Sequence, residues 1–121
     1  MGQIHKKTQL PDGYGALIYL DGEFLVGSFR AGLPHGECRK IHKEGDYYEG
    51  RFENGKASGH GVYTAANGSK YEGNWVDDQK SGEGKEIYED GSVYEGSFEG
   101  GKKHGNGQMT WSEGSKYVGE F

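Results

Sequence analysis

Few stretches of this chain place reactive side chains at a spacing that could do chemistry. Gly50-Arg51-Phe52-Glu53-Asn54-Gly55-Lys56 has the glycine and lysine spacing of a phosphate-cradling loop, and Gly96 to Lys102 repeats it. Such a loop needs Ser or Thr after the lysine to hold magnesium, and a helix whose N-terminus faces the phosphate. Ala57 and Lys103 stand there instead, and no helical pattern follows. His35, His60 and His104 are separated by about one repeat or more, with no Cys or carboxylate partner at ligand spacing, so no metal site is expected. Cys38 is the only cysteine. It has no predictable base beside it and reads as a packing residue rather than a nucleophile. Asp77-Asp78 lacks the spaced oxygen ligands of a calcium loop and reads as a solvated turn. Asn67-Gly68-Ser69 fits a glycosylation pattern and is likewise read as a turn. Catalytic residues, metals and cofactors are therefore not expected, and the chain is not read as an enzyme.

What remains is the framework that holds these residues. Leu, Ile, Val and Phe make up only about 16% of 121 residues and the formal charge is -5, a profile that leans towards disorder. Nine tyrosines, five phenylalanines, two tryptophans and 24 glycines oppose that reading. A single folding unit is expected at this length. One cysteine excludes an internal disulfide, and MGQIHKKTQL lacks the apolar run of a secretory signal, so a cytoplasmic setting is expected. Met1-Gly2 begins like an acylation signal, but Lys6 stands where Ser or Thr is wanted. No apolar stretch is long enough to span a bilayer, and no basic patch accompanies the aromatics, which argues against nucleic acid.

The order in the sequence is a period. Glycines 22, 45, 68, 91 and 114 are spaced by 23 residues each time. With that glycine as slot one, slot four reads Leu25, Tyr48, Tyr71, Tyr94, Tyr117 and slot eight reads Phe29, Phe52, Trp75, Phe98, Phe121. Slot six is glycine in every copy, at 27, 50, 73, 96 and 119, and slot fifteen at 36, 59, 82 and 105. Residues 1–11 form an N-terminal extension or cap. The array follows at 12–121, with a partial unit 12–21, units 22–44, 45–67, 68–90 and 91–113, and a partial unit 114–121.

Each unit reads as a β-hairpin. Tyr94, Gly96 and Phe98 alternate with Val93, Glu95 and Ser97, which puts both rings on one face of a strand. The second strand is expected from about Gly105 to Trp111, with Gly107, Met109 and Trp111 on one face. Asp21-Gly22, Asn67-Gly68 and Asp90-Gly91 supply positive-φ dipeptides for tight turns between units, with Glu44-Gly45 and Glu113-Gly114 as weaker versions. Glycine at slot six leaves space for rings to lie over the backbone, so that successive units stack Tyr on Tyr and Phe on Phe. The expected fold is all-β: an elongated single-layer antiparallel hairpin array with an aromatic ladder as its core.

Units of the form YEGxFxxGxxxGxG, as in Tyr94-Glu95-Gly96, Phe98, Gly101, Gly105 and Gly107, resemble MORN repeats, and the resemblance covers nearly all of residues 12–121. The resemblance implies a twisted hairpin array used for protein or membrane association, often at cytoskeletal or ciliary structures. It also includes arrays that are regulatory segments of larger lipid kinases or lysine methyltransferases. The first unit departs from the pattern with Leu25-Val26 for Tyr-Glu, Cys38 for a glycine and His42 for the late aromatic. Asp78 replaces a loop glycine, and Val118 replaces the glutamate of the last copy.

Two surfaces are expected to carry function. On the aromatic face, Tyr48, Tyr63, Tyr71, Trp75, Tyr88, Tyr94, Trp111 and Tyr117 would line a groove for a partner helix or peptide. On the other face, Glu49, Glu72 and Glu95 would form an acidic stripe, with Lys70, Arg51 and Lys116 nearby, either as a solvated face or as a dock for a basic segment. The reading is a non-catalytic protein-interaction scaffold. Phospholipid binding is the alternative, opposed by the acidic balance and helped only by the loop lysines Lys56, Lys80, Lys102 and Lys103. A regulatory fragment of a larger enzyme is a further alternative, and the last strand is expected to invite pairing, including a homodimer through the chain end.

Overall fold

The structure, a computed structural model, describes residues 3–4 and 11–121. The extension expected at residues 1–11 lies outside the described residues apart from Gln3, Ile4 and Pro11. Eleven strands form one antiparallel sheet in strict chain order: β1 (Gln3–Ile4), β2 (Pro11–Ile18), β3 (Phe24–Arg30), β4 (Leu33–Ile41), β5 (Tyr47–Glu53), β6 (Lys56–Thr64), β7 (Lys70–Val76), β8 (Gln79–Ile87), β9 (Val93–Glu99), β10 (Lys102–Thr110) and β11 (Lys116–Glu120). Among the described residues each strand pairs with its neighbours in sequence, as an all-β hairpin array requires. The second strand of a unit begins directly after the turn, at Lys102 rather than Gly105 in the fourth unit, and ends at Thr110 before Trp111.

Two turn chemistries alternate. Within units, two-residue turns join the strands, and both central residues have positive φ: Asn54 at 48° and Gly55 at 89°, and Asp77 at 48° and Asp78 at 69°. That is the requirement of a type I′ turn. The turns also clip one unit to the one before, because Gly55 N–H donates to Pro34 O (2.9 Å), Asp78 N–H to Ala57 O (2.9 Å) and Gly101 N–H to Lys80 O (3.1 Å). Between units the Asp-Gly and Asn-Gly dipeptides work differently from the sequence expectation. Only the glycine takes positive φ, and the Asp or Asn side chain accepts a backbone N–H two residues on, as Asp21 does from Glu23 (3.0 Å) and Asn67 from Ser69 (2.9 Å). The acidic or amide residue is selected for that local bond.

The core is a single file of rings. Tyr48, Tyr71 and Tyr94 each pack edge-on between two slot-eight rings: Tyr48 between Phe52 and Trp75, Tyr71 between Trp75 and Phe98, and Tyr94 between Phe98 and Phe121. Centroids are 4.8–5.2 Å apart and planes cross at 81–89°. Like rings therefore do not stack, contrary to expectation. The negative face of one ring meets the positive edge of the next, worth about 0.5–1.5 kcal/mol per pair beyond burial.

Each tyrosine lies across a glycine on the neighbouring strand, and this explains why two glycines recur. A Cβ on Gly84 would meet the Tyr71 ring at 2.6 Å, and one on Gly73 would meet the Gly84 Cα at 2.6 Å. Beyond that pair the register shifts: Gly73 pairs with Gly84 but Trp75 with Lys80, so three residues of β8 face one of β7. The Tyr71 hydroxyl reaches into the irregularity and donates to Asn74 O at 2.8 Å. Tyr48 and Tyr94 do the same with Arg51 O (3.1 Å) and Ser97 O (2.9 Å). The first unit reaches the same end with other residues. Leu25 has no hydroxyl, and Cys38, in place of the glycine, donates its thiol to the equivalent carbonyl of Ser28 at 3.3 Å.

The pair at slots four and seventeen is thus exchangeable only as a pair. Gly84→Ala should lower stability by about 1–3 kcal/mol in urea unfolding through overpacking against Tyr71. Tyr71→Leu combined with Gly84→Cys, which imports the first unit's solution, should lose less than the sum of its two single substitutions, and a double-mutant cycle measures the difference.

Candidate functional site

The strand alternation that buries the ladder decides which residues a partner could reach. Tyr48, Tyr71, Trp75 and Tyr94 are buried in the ladder. They hold the sheet together as core residues rather than standing out as groove anchors, which corrects that part of the sequence reading, and of the four Tyr48 and Trp75 form the floor of an open cavity. Tyr63 and Tyr88 are half-buried against the core, whereas Trp111 and Tyr117 are exposed. Tyr117 extends the ladder, 5.2 Å from Phe121.

The reachable part of the aromatic face is a rim built from the far ends of the second strands. Leu17, Tyr63 and Met109 occupy slot nineteen and pack on the ladder there, and Tyr19, Tyr88 and Trp111 occupy slot twenty-one. Tyr88, Met109 and Trp111 line a shallow cavity of about 650 Å³, whose polar edge is Asn67, Ser69 and Ser92. Trp111 is 41% exposed although its equivalents Tyr19 and Tyr88 are half-buried.

Polar groups are drawn into the same face. Glu86 accepts from Lys80 Nζ (2.5 Å) and from the Tyr88 hydroxyl (2.6 Å), and Lys103 Nζ lies 3.4 Å away. Burial pushes the Glu86 carboxyl up, but the hydrogen bonds from Lys80 and Tyr88 and the two lysine charges outweigh it and hold the group below its ordinary value. Lys80 Nζ also sits 5.2 Å above the Tyr71 ring, and Lys103 Nζ 5.1 Å above Tyr88 and 5.3 Å above Tyr94. These two lysines cap aromatic rings as cation–π partners. They are strand residues with assigned partners, not the free loop lysines of the sequence reading. Tyr63 donates to the Asp46 carboxylate, and burial followed by that carboxylate pushes its phenol up to about 12.

On the opposite face Glu49, Glu72 and Glu95 are exposed and share one row, interleaved with residues of the second strands. Across the sheet the row reads Arg39, Glu49, Val62, Glu72, Lys85, Glu95, Gln108. Arg39 pairs with Glu49 at 3.8 Å, with about half of each side chain exposed. Cationic or uncharged residues stand between the glutamates, so the row is not a continuous acidic strip. Beside it, Ile18, Phe24, Ile41 and Tyr47 are consecutive cross-strand neighbours and form an apolar row on the first units. The sequence reading missed it. Its signal was slot three, which reads Phe24, Tyr47, Lys70, Val93, Lys116, with aromatic rings in the first two units alone.

The reactive residues fall where turns and strands put them. The phosphate-loop spacing at Gly50–Lys56 runs along β5, around the Asn54-Gly55 turn and into β6. His35 bonds Arg30 (3.2 Å), His104 lies 3.7 Å from Glu99, and His60 is exposed on β6. Among the described residues no group of three or more His, Cys, Asp and Glu is placed to hold a metal ion. Burial pushes the Cys38 thiol up, away from the thiolate a nucleophile needs.

The family model of the MORN repeat matches residues 26–47, 48–70, 71–93 and 94–116 in tandem. Curated proteins give no match.

The Glu86 cluster makes stability depend on pH. Its folded pKa is depressed, so its contribution is complete above the ordinary value of 4.5 and is lost as pH falls through the folded pKa. Between about pH 5 and pH 3 the melting temperature of the wild type should therefore fall more steeply than that of Glu86→Gln, which calorimetry can compare directly.

Proposed function

Because this chain belongs to the MORN-repeat family, we propose that it is a non-catalytic binding module that holds a partner protein along the rim of its aromatic face. The observation that carries this reading is Trp111, exposed above a cavity it shares with Tyr88 and Met109. An accessible Trp beside a Tyr and a Met is the side-chain mixture in which interface anchors are enriched. The ladder beneath is held rigid by its own ring contacts, so the rim is preorganised and a partner segment need not order it.

The partner side is apolar. A helix or extended segment laid along the rim would place its own apolar side chains beside Trp111 and Met109. Membrane lipid ranks behind a protein on this face, since a formal charge of -5 weakens attraction to anionic headgroups and Lys80 and Lys103 are already engaged by Glu86.

Trp111→Ser with Met109→Ser removes no ring of the file, and because Met109 packs against the core a thermal melt followed by circular dichroism is used to check that the double variant stays folded. The double variant should bind a partner isolated with the wild type at least about 30-fold more weakly, in keeping with the loss of a central aromatic anchor. Glu72→Lys with Glu95→Lys, on the other face, should retain it. Loss by the lysine variant alone would assign binding to the opposite face.

A further inference from the structure

The repeats supply a comparison within one chain. At slot thirteen the units carry Pro34, Ala57, Lys80 and Lys103. In the third unit Lys80 places its ammonium 5.2 Å above Tyr71 and 6.0 Å above Phe98. In the fourth, Lys103 lies above Tyr94. The second unit has the same ladder geometry, with Tyr48 packed edge-on against Trp75 at 5.2 Å, but Ala57 supplies no cation to cover it. Tyr48 keeps 4% of its surface against 1% and 0% for Tyr71 and Tyr94 under the lysines, and Trp75 keeps 8% against 4% for Phe98 under Lys80. A cavity of about 400 Å³ lies over them, walled by Tyr63, Asp78 and Lys40.

We propose that this cavity binds the side chain of a lysine on the partner protein, its ammonium taking over Tyr48 and Trp75 the place that Lys80 takes over Tyr71. This rests on the reading of the aromatic face as the docking face. Trp is the strongest of the aromatic cation acceptors, and Trp75 occurs where the other complete units have Phe.

The cavity wall carries one carboxylate and two lysines, and the carboxylate is the group a visiting ammonium would meet. Asp78 lines it, accepting the Ala57 N–H through Oδ1 at 2.7 Å, and Asp46 stands behind the Tyr63 hydroxyl. The basic side chains of the wall have partners of their own. Lys80 is bound to Glu86 at 2.5 Å, His42 to Glu23 at 2.9 Å, and Lys40 lies 5.3 Å above the Tyr19 ring.

The test is an NMR titration of the full chain with n-butylammonium chloride at constant ionic strength, with n-butanol as the uncharged control. Saturable shifts at the Ala57 amide and the Trp75 indole N–H with butylammonium and not with butanol are expected. Ala57→Lys, which installs the repeat's own cation, should weaken that binding at least about tenfold, and Asp78→Asn, which keeps an acceptor for the Ala57 N–H, at least about threefold. Should Ala57→Lys fail to fold, the Asp78→Asn arm decides alone. Equal saturation by butanol would overturn the lysine assignment and leave an apolar dock. No saturable shift with either probe would also overturn it, while the Trp111/Met109 variant separately decides whether the face docks a partner at all.

Discussion

A tyrosine laid across a glycine is the contact on which this sheet depends. The ring needs the glycine's missing Cβ, the two facing glycines need each other's to bring their strands close, and the hydroxyl needs the carbonyl at the register shift. Each requirement is met by the others, so the three features recur together. Leu25 with Cys38 shows the rule by its exception, since losing the ring removes the need for glycine and the thiol takes up the acceptor. Rings placed this way leave their edges pointing at the neighbouring unit's slot-eight ring. A continuous core follows in a chain with few aliphatic residues.

Periodicity made most of this legible beforehand. A 23-residue interval with glycine at slot six and rings at slots four and eight specifies strands, faces and a single-layer array, because each follows from alternation and sterics within one unit. The orientation between units was not legible. Tyr-on-Tyr stacking and an edge-to-face zigzag satisfy the same slots, and only the displacement of one hairpin against the next separates them. The groove was misread for the same reason. Composition counts aromatics, but whether Tyr71 is rim or core depends on which strand closes over it. Lys80 and Lys103 sit just past a turn and read as loop residues, yet the strand begins at once after the type I′ turn and turns them onto the rings.

The two faces divide the work. One uses its rings for cohesion and presents the ends of its second strands, at Tyr63, Tyr88, Met109 and Trp111, and the cavity over Tyr48 and Trp75. The other carries rows in which unlike charges or apolar residues face each other across strands, and its nearest ion pair is a long one at the surface, where such pairs contribute little. Apart from Leu25 with Cys38 in the first unit and Trp75 at slot eight, the tyrosine, glycine and ring triplet is constant across the four units, while slots such as thirteen and twenty-one vary. Those slots can change without breaking the core, and there the four units differ most in what they offer to another molecule.

Strict chain order of the strands has a mechanical meaning. Tension applied to the two ends of such a sheet loads its outermost hairpin edges, and hydrogen bonds open one after another rather than in parallel shear. Each turn is clipped only to the unit before it, so the loss of one hairpin exposes the next without disturbing those beyond. Every unit that peels away releases roughly 80 Å of contour for its 23 residues. Under load the array is an extensible tether that yields in equal steps, with its remaining units still folded.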